Sequence, residues 1–263
     1  MIPVPVRAGL QRGWIECRQS LANPGEMLGW VWPSLIPLVV LYALRGTPVP
    51  GTDFSVGSQA IPGILGMNVV MVGMMGLAIA LIMDKMDGTL LRAKAIPNGM
   101  TGYLIGRVIG QSAITAAVLL IVLVPCALLF GGLSLDSVQS WLMLIGVMVL
   151  GLIATLPLGA VIGSLLKSPQ SLSLGTLLVT LLVLVSGVFY PITALPEWVQ
   201  WFGQLLPIYW LGLGMRSALL PDSLAVAEIG QSWRHLETIG VLGAWAVIGF
   251  VVAPIVLRRV TRH

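Results

Sequence analysis

Long apolar runs without a single charge dominate the chain. Six are present, at Met27–Leu44, Ile61–Met83, Val108–Phe130, Trp141–Gly163, Leu172–Tyr190 and Thr238–Leu257, none with Asp, Glu, Lys, Arg or His. An apolar helix of about 18–25 residues is long enough to cross the hydrocarbon core of a bilayer. The pattern predicts an all-α integral membrane fold of six transmembrane helices in one transmembrane domain, residues 1–263. Pro33, Pro37, Pro125, Pro157 and Pro254 fall inside these runs. They are expected to kink the helices and not to end them, because lipid offers the backbone no other hydrogen-bonding partner.

Two segments follow a different rhythm. Between Val6 and Leu21 the apolar residues Val6, Leu10, Trp14, Cys17 and Leu21 recur three or four apart, with Arg7, Gln11, Arg12, Glu16, Arg18 and Gln19 between them. That spacing predicts an amphipathic helix at 6–21, lying in the membrane interface with its arginines among anionic headgroups. A soluble helix packed on a partner is the alternative. Asn23-Pro24-Gly25 then turns the chain into the first run.

The second segment, Pro191 to Glu237, connects the last two runs and is itself apolar in places. Phe189, Tyr190, Trp198, Trp201, Phe202, Tyr209 and Trp210 crowd together just before its start and within its first half, and the uncharged stretch Leu205–Met215 is too short to span. Trp and Tyr favour headgroup depth. A short re-entrant helical hairpin in the outer leaflet is expected, with a simple aromatic belt as the alternative.

Charge sharpens the picture. Only 9% of residues are charged, against roughly 25% in a soluble domain, which excludes a soluble enzyme, a nucleic-acid-binding domain and a disordered tail. The net charge of +4 is then a topology signal. Arg7, Arg12, Arg18, Lys85, Arg92, Lys94, Arg107, Lys167, Arg258, Arg259 and Arg262 share one face of the six-span arrangement, leaving Arg45, Arg216 and Arg234 on the other. Basic residues collect on the cytoplasmic side, so both termini are expected there. No cleavable signal peptide is expected at the N-terminus. Cys17 and Cys126 fall on opposite sides of the bilayer and are expected to be free thiols.

The missing motifs narrow the chemistry. Lys85, Lys94 and Lys167 follow Asp84, Ala93 and Leu166, so no Gly-Lys pair and no phosphate-binding P-loop exists. No HExxH, paired-cysteine or Gly-x-Ser-x-Gly pattern occurs, and His235 and His263 are the only histidines. Catalytic residues and a metal site are therefore not expected. Carriers driven by ion gradients usually hold carboxylates or histidines within the membrane, and these runs hold none. A permease powered by a separate subunit is the expected class. Gly102, Gly106 and Gly110, four apart, form a ridge suited to close helix packing, either within one subunit or at a dimer seam. Gly151, Thr155 and Gly159 make a second such row.

The loop after the second run reads Asp84-Lys85-Met86-Asp87-Gly88-Thr89-Leu90-Leu91-Arg92-Ala93-Lys94-Ala95-Ile96-Pro97, followed by Tyr103-Leu104-Ile105-Gly106-Arg107. It resembles the first intracellular loop of type-2 ATP-binding-cassette exporter permeases. Ser186-Gly187-Val188-Phe189-Tyr190-Pro191, Leu195-Pro196-Glu197-Trp198, Leu206-Pro207-Ile208-Tyr209-Trp210 and Arg216 resemble that family's signature after its fifth helix. The resemblance extends over the full chain in order. It departs at Met86, where the family often carries Glu.

What the resemblance implies is specific. Asp84, Lys85, Asp87, Gly88, Thr89, Leu90, Arg92 and Pro97 would form a loop coupling the permease to an ATPase. Lys167, Ser168 and Pro169 would make a lesser contact. Ser186, Gly187, Pro191, Pro196, Trp198, Pro207, Tyr209 and Arg216 would build an outer re-entrant gate. Without the resemblance, the first loop reads better as a solvated turn whose charges set topology. The partners implied are two ATP-binding-cassette ATPase subunits, which would hold ATP and Mg, and a second permease subunit, identical or homologous. Membrane lipid surrounds the assembly and nucleic acid has no part. The setting implied is a prokaryotic plasma membrane, with a lipophilic or amphipathic compound exported. The Trp30-Val31-Trp32-Pro33 start of the first run looks more like the drug-export branch than the exporters of lipid-linked polysaccharide. The rivals are a nontransporting membrane scaffold or immunity protein and a gradient-driven carrier.

Overall fold

A computed structural model describes residues 4–43, 45–46, 56–166, 168–187 and 192–260. Among the described residues there is no strand. The helices are α1 (Val4–Ala22), α2 (Pro24–Ala43), α3 (Val56–Asn68), α4 (Gly76–Met86), α5 (Thr89–Lys94), α6 (Gly99–Leu129), α7 (Val138–Leu165), α8 (Pro169–Val185), α9 (Glu197–Leu205), α10 (Pro207–Leu219) and α11 (His235–Val260). Five helical stretches are long and apolar enough to cross a membrane: α2, the continuous rod 57–86, α6, α7 and the first 22 residues of α11. The shorter apolar helix α8 corresponds to the run Leu172–Tyr190, whose last three residues lie outside the described set. The protein is an all-α integral membrane protein.

Several helices run past their charge-free stretches, α6 by nine residues at its start. A polar residue at a membrane boundary does not end a helix, since the backbone bonds continue regardless of the side chain. The rod from α3 to α4 is π-helical over Val69–Met75. Its wider turn disturbs the regular ladder of carbonyl partners. Gln111 of α6, itself buried, donates from Nε2 to the Val72 carbonyl at 2.6 Å. Ser34 of α2 donates to Asn68 Oδ1 at 2.7 Å at the end of α3. These amides inside apolar runs are used to join helices.

Small residues decide which helices touch. A Cβ on Gly9 of α1 would lie 2.8 Å from the Gly102 carbonyl, and one on Gly13 would lie 2.9 Å from that of Gly106. Gly102, Gly106 and Gly110 thus face α1 of the same chain, where Pro5, Arg12 and Glu16 pass over them. Cys17, assigned by spacing to the lipid side of α1, instead belongs to the packed face with Gly9, Gly13 and Ser20. Leu10, Trp14, Ile15 and Leu21 remain exposed. In α7, Gly159 and Gly163 lie against the backbone at Met74 and Ala78, and Gly151 receives the Leu211 side chain of α10.

Helix α10 is the deepest element. Every residue from Pro207 to Leu219 is buried except Ser217. The turn between α9 and α10 lies beside α11, where Trp245 Nε1 donates to the Leu205 carbonyl at 2.9 Å. A Cβ on Gly214, further along α10, would sit 3.5 Å from Thr238. The uncharged stretch Leu205–Met215 is therefore split at Leu206, which breaks the helix with extended backbone before Pro207 starts the next.

Candidate functional site

The turn between α4 and α6 is built from local chemistry. Asp87 ends α4, its N–H donating to the Met83 carbonyl at 3.0 Å. Gly88 follows at φ +77°, a conformation that a side chain would strain. The Asp87 carboxylate then accepts from the Thr89 N–H at 2.8 Å. Those Thr89 hydrogen bonds, from the backbone first and then the hydroxyl, hold the exposed Asp87 carboxyl below the usual carboxylate range. Arg92 folds back, donating to Thr89 Oγ1 at 3.1 Å and to the Asp87 carbonyl at 3.3 Å.

The six-residue helix α5 has two sides. Leu90 and Ala93 are buried on the bundle, whereas Leu91, Arg92 and Lys94 are exposed. Exposed Pro97 lies in the turn to Asn98, whose φ of +57° sets the angle at which α6 begins. An apolar and basic outer surface on a short, internally bonded helix can seat in a complementary cleft of another protein.

Asp84 and Lys85 sit apart from that surface. Asp84 is 2% exposed and belongs to α4. Its carboxylate accepts from the Tyr103 hydroxyl and from Arg107, at 2.7 Å from Nε and 2.5 Å from the other guanidinium nitrogen. Arg107 also reaches Glu16 at 3.2 Å, Glu16 pairs with Arg12 at 2.8 Å, and the Arg12 guanidinium lies 4.7 Å from the centre of the Tyr103 ring. Lys85 Nζ donates at 2.7 Å to the carbonyls of Gly163 and Ser164 at the end of α7, a favourable place for a cation. Asp84 therefore binds α1, α4 and α6 together, and Lys85 binds α4 to α7. Neither carboxylate nor ammonium forms part of the outer face of α5.

The remaining residues expected at sites divide by position. Lys167 and Pro191 lie outside the described residues. Ser168 caps α8, accepting from the Ser171 N–H at 3.2 Å, and Pro169 opens the helix. Ser186 ends α8 with its hydroxyl on the Val183 carbonyl, and Gly187 follows at φ +67°. Pro196 starts α9, where Trp198 is 73% exposed beside exposed Trp201 and Phe202. Pro207 starts α10, and Tyr209 is wholly buried there, edge-on to Trp210.

Arg216, near the end of α10, is brought to Gly187 and to a residue that sequence reasoning missed. Its guanidinium donates to the Gly187 carbonyl at 2.9 Å and lies 2.8 Å from Glu228, with both side chains almost fully enclosed. The signal for Glu228 was available, because an arginine within a buried apolar stretch requires a counter-ion. Glu16 was missed for a different reason, having been read as part of the polar face of an interfacial helix.

A family described as ABC-2 family transporter protein matches residues 42–255. The transport permease YvfS of Bacillus subtilis is 28% identical over 211 residues, covering 76% of this chain and 80% of its own. The linearmycin resistance permease protein LnrN of the same organism is 28% identical over 199 residues, covering 72% of this chain. The aligned region is 46% of that relative's own length, so this chain spans about half of it.

Proposed function

The chain belongs to the ABC-2 transporter family, and on that premise we propose that it is one membrane-spanning half of an ATP-driven exporter for a lipophilic or amphipathic compound. It is a multi-pass membrane permease and not an enzyme with its own ATPase site. Permeases of this family work with ATP-binding-cassette partners. The fuller assembly in this reading has two permease subunits and two ATPases, in a prokaryotic plasma membrane with both termini cytoplasmic. The name of the relative LnrN, a resistance permease for linearmycin, supports a cargo of the antibiotic kind. The α9–α10 pair serves as an outer re-entrant gate in this reading.

The observation that carries the proposal is the mounting of α5. Its outer face of Leu91, Arg92 and Lys94 is exposed, while the residues just before and after it are fixed to α1, α6 and α7 through Asp84, Arg107 and Lys85. A push on α5 by a closing ATPase pair is thus delivered to packed helices as a rigid-body displacement. The Ser168 turn supplies the lesser contact.

Copurification of the ATPase subunit with the detergent-solubilised permease tests this. Gly88→Pro, which cannot adopt the φ of +77°, combined with Arg92→Glu should abolish copurification and ATP-dependent efflux. Unchanged binding and efflux would remove α5 from the coupling role. Efflux that survives ATP depletion while an ion gradient is maintained would favour a carrier.

A further inference from the structure

The rod from α3 to α4 changes its hydrogen-bond ladder midway along the apolar run Ile61–Met83. Between Val69 and Met75 it is π-helical, a turn that holds one residue more than the α-helical ladder on either side. At the end of this segment the Gly76 N–H donates to the carbonyls of Gly73 and Met71, three and five residues back, and passes over Val72. Val72 is buried, and a buried carbonyl needs a partner within the protein. Gln111 of α6 supplies it, donating from Nε2 at 2.6 Å. The amide fits there only because residue 76 lacks a side chain: a Cβ on Gly76 would overlap the Gln111 amide.

In an unbroken α-helix the Gly76 N–H would itself take the Val72 carbonyl, four residues back. The carbonyl therefore has two competing donors, one in the rod and one on α6. Which of them holds it decides whether the extra residue sits at this turn or passes to the turn before. The rod is anchored on both sides of the contest. On one side, Ser34 of α2 holds Asn68, and a Cβ on Gly66 would lie 3.4 Å from the Gly212 Cα of buried α10. On the other, Asp84 and Lys85 hold α4 to α6 and α7. A relative movement of α3 and α4 is thus confined to the π-helical segment between these anchors.

We propose that Val69–Met75 is the joint at which α4 turns relative to α3, and that the Gln111 amide on the Val72 carbonyl is its latch. With the latch closed, the π-helical turn is fixed against α6. With it open, the Gly76 N–H takes the carbonyl, the extra residue passes towards α3, and the two helices turn about the rod axis relative to each other. Neither helix unwinds, so the two arrangements make a two-state element. Gln111 is a positioning residue in this scheme and touches no cargo. The latch stands on the ladder alone. Its use in transport rests on the exporter reading, in which the joint carries a displacement of α5 along the rod to α10.

Deletion of Met71, the one residue of the segment that is not buried, tests both parts. In a regular helix a deletion rotates everything beyond it by about 100°, whereas here it should convert the π-helical turn to α and leave both anchors in place. Gly76 then claims the Val72 carbonyl, and the Gln111 amide is left buried without an acceptor. The melting temperature of the detergent-solubilised full chain should fall on deletion and rise again when Gln111→Leu is added. A double variant no more stable than the deletion alone would overturn the latch. With its ATPase subunit, the double variant should keep copurification and ATP hydrolysis but lose ATP-dependent efflux. Efflux at the wild-type rate would overturn the joint, and so would lost copurification, which would mean that the deletion had turned α4 away from its anchors. If the unaltered chain copurifies with no ATPase, the exporter reading fails while the melting temperatures still decide the latch.

Discussion

Arg107 and Arg216 each meet a carboxylate inside the helical bundle, in very different surroundings. Arg107 keeps 22% of its side chain accessible and shares itself between Asp84 and Glu16, within a cluster that also includes Tyr103 and Arg12. Arg216 and Glu228 keep 4% and 2% of theirs. The first is a multi-point joint at the α5 end, where water can reach one side and the loss of one contact leaves others. The second is a sealed staple holding α10 to the loop that precedes α11. The same pair of functional groups therefore makes an adjustable linkage in one place and a fixed one in the other, and exposure decides which.

The largest expected effect falls on the sealed pair. Glu228→Ala leaves a guanidinium enclosed without its counter-ion, which costs about 3–5 kcal/mol. It should appear as a marked fall in melting temperature of the detergent-solubilised protein. Replacing both partners, Arg216→Met with Glu228→Leu, should recover most of that loss, because the charge is removed along with its partner. A double variant as unstable as the single one would mean that Arg216 works chiefly through Gly187.

At the joint, Asp84→Asn should cost less, about 1.5–3 kcal/mol, since Tyr103 keeps an acceptor and Arg107 keeps Glu16. Its fall in melting temperature should be smaller than that of Glu228→Ala, and ATP-dependent efflux should fall further than stability explains. Equal losses at Asp84 and Glu228 would erase the distinction between the two sites.

The packing beneath the joint gives the next prediction. Gly9→Ala puts a methyl 2.8 Å from the Gly102 carbonyl and the Ile105 side chain, an overpacking that costs about 1–3 kcal/mol. Gly146→Ala on α7 meets nothing within 4 Å and should be neutral or stabilising by about 0.5–1 kcal/mol. Thermal melts of the two variants should therefore move in opposite directions or differ in size.

The smallest effect is expected at Asp87. Its carboxyl titrates lower in the folded chain than in the unfolded one, so its bond to the Thr89 N–H is intact above the unfolded carboxylate range. The bond is lost as pH falls through the lowered folded value. Amide exchange at Thr89, corrected for intrinsic rates, should accelerate over that acid range, while exchange at Leu152 in the core stays unchanged.

Much of the fold is legible because lipid imposes few solutions on a backbone. Long charge-free runs read as membrane-crossing helices, and Gly102, Gly106 and Gly110 announce a close helix approach. Their partner was not legible: spacing along α6 does not reveal that Gly9 and Gly13 of α1 face it. The aromatic cluster also hid a division of labour. Trp198, Trp201 and Phe202 face outward on α9, while Tyr209 and Trp210 turn inward on α10, separated by one break at Leu206. Composition groups these residues together, and only the helix break sorts them.

The α4–α6 turn shows the same limit within a few residues. Asp84, Lys85, Asp87 and Arg92 are neighbours in sequence and equally polar. Asp87 and Arg92 shape the exposed turn, whereas Asp84 and Lys85 point into the bundle and hold two other helices, α6 and α7. Gln111 and Asn68 were overlooked because single amides disappear in an apolar average. Each is used inside the bundle, where a polar group without a partner is costly.

The sequence by itself determined the solvent of this protein, its helical class, its long apolar helices and the identity of its polar turns. These follow from local hydrophobicity and from the backbone's need for internal hydrogen bonds in lipid. Only the tertiary structure decided which glycine meets which helix, which carboxylate neutralises Arg107 and which Arg216, and that an apolar cleft lined by α4, α6, α7 and α11 opens in the bundle. Those choices depend on distances between residues far apart in the chain, such as Glu16 to Arg107 and Gly9 to Gly102, and no local pattern encodes them.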